Sequence, residues 1–251
     1  MNIKEKQLQV PMLAIEGLCV TKDATTILDT ISLTIPTGVM AALVGPNGAG
    51  KTTLLHTILG INRSYTGTIF IWGEPFSRVS SQIAFVPQRT SVDWDFPVTV
   101  SDVVMMGRYV HMKWFARPTE KDYAAVEHAL HMVGMFAYKD RPIGKLSGGQ
   151  QQRVFIARAL AQEPLIYFMD EPFAGIDSTT EHDLMVLLKA ERDKGKTVVI
   201  VHHDLETLAH YFEWVVLLNK KIIASGPVNE VFIKEHVITA YGRWCSYLQQ
   251  V

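Results

Sequence analysis

Eight consecutive residues, Gly45-Pro46-Asn47-Gly48-Ala49-Gly50-Lys51-Thr52, fit the pattern G-x-x-x-x-G-K-[ST] at every fixed position. The chemistry they suit is anion binding. Gly48 and Gly50 let the backbone turn so that successive N–H groups point inward, and the following helix N-terminus adds positive partial charge. Lys51 would then reach the β- and γ-phosphates of a nucleoside triphosphate, while the Thr52 hydroxyl would sit on Mg²⁺. The plain rival is a tight glycine turn with a chance Lys-Thr. A second string, Leu165-Ile166-Tyr167-Phe168-Met169-Asp170-Glu171, reads as a buried strand that delivers Asp170 to its carboxyl end, where the Mg²⁺ shell lies. Glu171, one residue further, can reach the water at the γ-phosphate, as general base or to orient it; otherwise the pair is an ordinary acidic turn. A third, Leu146-Ser147-Gly148-Gly149-Gln150-Gln151-Gln152-Arg153, is a glycine-bearing turn opening a helix. It is a second anion-binding helix N-terminus, or simply a cap with Ser147 at N-cap.

Other residues invite metal readings that their spacing does not favour. His202, His203 and Asp204 could form a ligand set, yet strand alternation sends the two histidines to opposite faces. His128 and His131 stand three apart on an expected helix, but two ligands are too few for a site, and a solvated helix face explains them. Met105-Met106 suits packing better than metal handling.

These strings need elements to position them. Ala41–Val44 is a short apolar run before the glycine loop and reads as a buried strand; Thr53, Leu54, Leu55, Thr57, Ile58 and Leu59 after it read as a helix that Gly60 ends. Leu13–Val20 and Thr25–Ile35 are expected as strands, antiparallel because the link between them is short. Thr68–Trp72 and Gln82–Val86 are expected strands, with Gln88 after the second. From Arg89 the composition changes to a helical stretch: Val100–Met106, then Thr119–Val133 with Thr119 as N-cap. Helices over Gln150–Gln162 and Asp183–Lys194, a strand over Thr197–Val201, and a hairpin of Trp214–Leu218 and Ile222–Ser225 follow. Strands alternating with helices give an α/β core.

Composition narrows the class. The chain has 251 residues, 48% of them hydrophobic, and a net charge of −1, which argues against nucleic acid as the main partner. Only Cys19 and Cys245 occur, so no disulfide framework is expected and a reducing cytoplasm suits the chain. Met1–Gln9 is polar, without a signal-peptide core, and no apolar run reaches membrane-spanning length. The expectation is a chain soluble by itself that meets a membrane only through a partner.

Together the three strings resemble the nucleotide-binding subunit of an ATP-binding-cassette transporter, over Leu13 to about Gly226. The resemblance implies an ATPase that uses ATP and Mg²⁺. The fold it implies is a P-loop nucleotide hydrolase core with an N-terminal antiparallel β subdomain and an inserted α-helical subdomain. On that reading residues 1–251 are a single domain: core about 11–88 and 163–226, helical insertion about 89–162, and a tail at 227–251. Two copies would pair head to tail, so that Ser147, Gly148, Gly149 and Gln150 of one complete the ATP site of the other, with Ser147 and Gly149 at the γ-phosphate bound by Lys51 of the partner copy. Gln88 matches the glutamine that touches Mg²⁺. Asp177 matches the aspartate loop that crosses the dimer interface. His203, directly before Asp204, matches the switch histidine at the γ-phosphate. One position departs: Lys22 falls where the family usually stacks an aromatic residue on adenine.

The stretch from Val92-Asp93-Trp94-Asp95 through Phe96 to Arg108 resembles the cassettes of manganese, zinc and iron importers. Cassettes of iron–siderophore or haem importers, with a similar Val-x-x-Gly-Arg ending, are the alternative; a cassette of iron–sulfur assembly, not tied to transport, is a further one. A non-catalytic nucleotide-binding module is disfavoured by Glu171, Gln88 and His203. The implied partners are a second copy of the chain, membrane permease subunits and, indirectly, an extracytoplasmic metal-binding protein, with the chain peripheral on the cytoplasmic face of the inner membrane. Phe96, Val100 and Met105 are expected on the permease-facing surface; the rival is that Trp94 and Phe96 pack the insertion.

Overall fold

The computed structural model describes residues 10–91, 94, 96–113 and 115–242; Val92, Asp93, Asp95 and Cys245 lie outside them. In chain order the elements are β1 (Leu13–Lys22), β2 (Thr25–Ile35), β3 (Met40–Val44), α1 (Lys51–Ile58), β4 (Thr66–Ile71), β5 (Ile83–Val86), α2 (Val100–Met105), α3 (Glu120–Met132), α4 (Gly148–Ala161), β6 (Ile166–Asp170), α5 (Ser178–Asp193), β7 (Thr197–Val201), β8 (Trp214–Asn219), β9 (Lys221–Pro227) and α6 (Lys234–Tyr241), with shorter helical turns between them. They form two compact units, one from the segments up to Ser80 and from Glu191 onward, the other from Ser81 to Ala190.

In the first unit β1 pairs antiparallel with both β2 and β4. Its inward residues are Leu13, Ile15, Leu18 and Val20, all buried, the pattern of a sheet with one covered face. The two-residue link Asp23-Ala24 has φ of 48° and 61°, both positive as a type I′ hairpin turn requires. β4 starts two residues before the apolar pattern suggests and ends one before it, because Trp72 at φ 49° leaves the strand, its indole donating to Thr37 Oγ1 at 3.1 Å. β3 lies between β7 and β8, parallel to both. All five of its residues, and all five of β7, are buried; covered on both faces, they need no alternation. β8 and β9 form the expected hairpin, turning at Lys220 with φ 56°.

In the second unit β5 and β6 run parallel, with Val86 opposite Met169. Three helices start on capping boxes. Thr99 and Asp102 close α2, Thr119 and Asp122 close α3, and Ser147 and Gln150 close α4. Each box satisfies first-turn amides that the helix cannot pair itself. α5 begins five residues before the apolar periodicity announces it. Its first turn is Ser178-Thr179-Thr180-Glu181, which carries no apolar signal, and Asp177 caps it by accepting from Thr180 N at 2.9 Å.

The segment expected to face a membrane partner divides in two. Val100 and Met105 are core residues, 0% and 7% exposed, whereas Phe96 is 60% exposed. The expectation of one exposed apolar cluster is therefore corrected: α2 turns Val100 and Met105 inward, and the outward residues are Phe96, Met106, Tyr109 and Val110. Trp94 packs, meeting Phe155 edge-on with centroids 5.1 Å apart. Gly107 touches α4 so closely that a Cβ there would lie 2.2 Å from Arg158 O. Arg108, 3% exposed, donates to Asp122 Oδ1 at 3.1 Å, Ala161 O at 2.7 Å and Glu163 Oε2 at 2.8 Å.

Candidate active site

The glycine loop belongs to the first unit, between the end of β3 and the start of α1. Gly45 passes so near β8 that a Cβ would sit 2.0 Å from Leu218 O, and no side chain fits there. Gly50 has φ 98° and would drive a Cβ to 2.6 Å from Leu28 Cδ2. As N-cap of α1 it offers no capping side chain, so the first-turn amides must be met from outside the helix, which is the arrangement that receives a phosphate. Lys51 is buried and folds back along its own loop, donating to Gly45 O at 2.7 Å and Pro46 O at 3.1 Å. Ala49 is buried, while Asn47, Gly48 and Thr52 are exposed and Pro46 and Thr53 half-buried. Lys22 is also exposed.

His202 and His203 follow β7 in the same unit and differ in kind. His202 is 2% exposed; its backbone N–H donates to Leu43 O at 3.1 Å, and its Nε2 lies 2.8 Å from Thr207 Oγ1. Burial first, and the neighbouring His203 second, push its pKa down to about 4. His203 is exposed, its ring centroid 5.8 Å from that of His202. No group of three or more His, Cys, Asp or Glu among the described residues could hold a metal ion. His128 and His131 are exposed, and His131 stacks on Phe136 at 4.0 Å.

The second unit carries the carboxylates. β6 is buried throughout and ends at Asp170, itself 1% exposed. Because Val86 and Met169 are paired, the residues two further on, Gln88 and Glu171, emerge side by side, and Gln88 Nε2 donates to Glu171 Oε2 at 2.8 Å. Glu171 has φ 48°, left-handed backbone that costs a non-glycine residue about 1–2 kcal/mol. Such strain persists only where the surroundings hold it, and it gathers at functional sites.

The serine–glycine turn lies in this unit too. Ser147 Oγ accepts from Gln150 N at 3.3 Å, and Gln150 Oε1 accepts from Ser147 N at 2.9 Å. Ser147, Gly148, Gly149 and Gln150 line one open concavity with Asp177, Thr180, Arg89 and Arg153. Hydrogen bonds from Thr180, backbone first, hold the Asp177 carboxyl below its usual range, with Arg153 adding to the effect. Sequence reasoning singled out neither Arg89 nor Arg153 as a site residue. Adjacency to Gln88 and to the Ser-Gly-Gly-Gln string was the available signal.

The chemistry on offer is that of phosphoryl transfer. Within the second unit the Asp170 carboxylate and the Gln88 amide oxygen are oxygen donors of the kind Mg²⁺ takes. Gln88 spends its Nε2 on Glu171, which leaves Oε1 for a cation.

Comparison with known proteins agrees with this chemistry. Residues 28–174 match the family described as ABC transporter. The chain is 51% identical over 212 residues to the zinc transport system ATP-binding protein TroB of Treponema pallidum, covering 84% of this chain and 80% of that one. It is 50% identical over 231 residues to the manganese transport system ATP-binding protein MntB of Halalkalibacterium halodurans, covering 92% of each. Among solved structures, an inward-facing putative metal-chelate type ABC transporter aligns with a TM-score of 0.79 at 28% identity, covering 92% of this chain and 89% of that one. The protein cbiO1 of Clostridium perfringens, part of the ABC transporter complex cbiONQ, aligns at 0.75 and 30% identity, over 97% of this chain and 100% of that one. No helix among the described residues is long and apolar enough to cross a membrane. The chain belongs to the ABC transporter family, as a cassette that hydrolyses ATP.

Proposed function

We propose that this chain powers the import of manganese, zinc or iron, acting as a homodimer beneath two permease subunits on the cytoplasmic face of the membrane. The observation that carries the hydrolytic part is the Gln88–Glu171 pair directly after Asp170. The cargo is supported by the names of relatives half identical to the chain over most of its length. Residues 45–53 would hold the ATP phosphates through backbone amides and Lys51. Thr52, Gln88 and Asp170 would hold Mg²⁺, which when bound supplies neutralising charge at the β- and γ-phosphate oxygens. Glu171 would take the proton of a water as its oxygen bonds to the γ-phosphorus; the bond from that phosphorus to the ADP oxygen breaks. His203 would steady the γ-phosphate. Ser147, Gly148, Gly149 and Gln150 of one copy, with Asp177 at the interface, would complete the site of the other. Closure of two copies on ATP and reopening after hydrolysis would shift the permease between its states, driven by the higher ATP affinity of the closed form.

A metal chelate as cargo is the second reading, favoured by the metal-chelate type neighbour, though at much lower identity than the manganese and zinc relatives. The test is uptake by cells that carry the complete transporter, with this subunit intact or as Glu171→Gln. Turnover by the variant should fall roughly 10²–10⁴-fold, the usual contribution of a general base, and uptake of the free ion should stop with it. Uptake of a ferric chelate but of no free ion would select the second reading. Metal uptake unaffected by Glu171→Gln would refute both.

A further inference from the structure

We propose that Arg89 is a positioning residue that ties the Ser147–Gln150 turn to the Gln88–Glu171 pair, so that the turn offered to a partner copy and the carboxylate of the copy's own site move as one. The inference rests on the paired-cassette reading above and deepens it. Arg89 follows Gln88 directly, and Gln88 holds Glu171 at 2.8 Å. Arg89 Nε donates to Gln151 Oε1 at 3.2 Å, on the first turn of α4. Gln151 is 4% exposed, and its Nε2 donates to Ile143 O at 3.2 Å, just before the Ser147 turn. The guanidinium lies flat against the turn: a Cβ on Gly148 would be 2.9 Å from both Arg89 Cζ and Nε. The main chain of Arg89 is fixed as well, since its carbonyl accepts from Trp94 Nε1 at 3.0 Å and Trp94 packs on Phe155 of α4.

The arrangement is informative because it is electrostatically unfavourable by itself. A cation at a helix N-terminus opposes the helix dipole. A neutral residue would pack against Gly148 without that opposition, but only arginine brings an Nε–H to Gln151 while its planar head covers the glycine. The contacts run without a gap from Glu171 through Gln88 and Arg89 to Gln151 and Gly148. A shift of Gln88 is thereby delivered to the turn as a shift of its first amides. The bond is made by Nε, so lysine cannot reproduce it while keeping the charge.

The experiment uses the full chain with Arg89→Ala and Arg89→Lys, each alone and combined with Glu171→Gln. Three quantities are read: fluorescent ATP-analogue binding, ATP-dependent dimer formation by the Glu171→Gln forms, and kcat and KM of the forms retaining Glu171. Both Arg89 variants should bind the analogue within twofold of the parent, because residues 45–53 are untouched. The ATP concentration needed for dimers should rise about tenfold, and because hydrolysis needs the dimer the KM for ATP should rise with it while kcat falls about tenfold. Dimerisation and kcat equal to the parent in Arg89→Ala would overturn the inference. So would full function in Arg89→Lys, which would assign the effect to charge alone, or loss of analogue binding along with dimerisation, which would mean a general structural role. A Glu171→Gln protein with native Arg89 that forms no ATP-dependent dimer would refute the paired-cassette reading itself, and the inference with it.

Discussion

His202 and His203 show how much a single residue's surroundings decide. Side by side in sequence, one is sealed beneath β3 and Thr207 and the other stands exposed. Strand alternation sends the two to opposite faces, but with β7 buried on both sides it does not say which histidine is covered. It could not predict the consequence for His202, whose pKa is pushed from 6.5 down to about 4 by burial and by His203. Because the folded pKa is the lower one, the unfolded chain binds the proton first, and stability is lost as pH falls from 6.5 toward 4. Relative to His202→Gln, the native protein should lose about 2 kcal/mol of unfolding free energy between pH 7 and pH 5. Denaturant titrations of both proteins across that range measure the difference, and a difference that stays flat would show that His202 is not held neutral by the fold. Glu171 teaches a related lesson. Its place after Asp170 is readable from the strand pattern, but its left-handed backbone is not, since glutamate has no preference for that region and only tertiary contact holds it there.

At the scale of elements, the sequence was most legible where a local signal sets the structure. Thr119 with Asp122, and Ser147 with Gln150, announce α3 and α4 through capping chemistry, and the apolar runs announce β3, β6 and β7. It was least legible where no apolar residue marks a turn, as at the polar start of α5, and where side-chain direction decides exposure, as for Val100 and Met105. The Val-x-x-Gly-Arg ending, which invites a reading in terms of cargo, is a folding device: Gly107 admits the Arg158 carbonyl and Arg108 joins the start of α3 to the end of α4. Hydrogen bonds from Thr119, and after them Arg108, hold Asp122 at a pKa of about 2, so it remains charged wherever the protein is folded near neutrality. Arg108→Ala would leave that carboxylate buried without its cation. Breaking a buried pair from one side is destabilising, so the unfolding midpoint in urea should drop at pH 7. An unchanged midpoint would mean that Thr119 and solvent satisfy Asp122 without Arg108.

For the whole molecule, the residues with phosphate chemistry fall into separate sets. Residues 45–53 and His203 sit on the unit built around β3; Gln88, Asp170, Glu171, the Ser147 turn and Asp177 sit on the other. The Ser147 turn is an amide-rich helix start facing an open concavity, and on the family reading a second copy of the chain brings its nucleotide there. A two-fold dimer pairs the same surfaces reciprocally, so it contains two sites, each taking Lys51 from one copy and Ser147 from the other. Lys51→Ala and Ser147→Arg should each abolish turnover alone. Mixed in equal amounts they should recover about a quarter of native turnover, because random pairing makes half of the dimers mixed and each mixed dimer has one intact site of two. Steady-state hydrolysis by the mixture, with circular dichroism to establish that both variants are folded, measures the recovery. Activity no greater than the sum of the separate variants would mean either that both sites must fire together or that the Ser147 turn serves its own copy. Linking the two variants in one polypeptide and following single-turnover hydrolysis separates these: one burst of hydrolysis per linked pair preserves the reciprocal site, and no burst removes it.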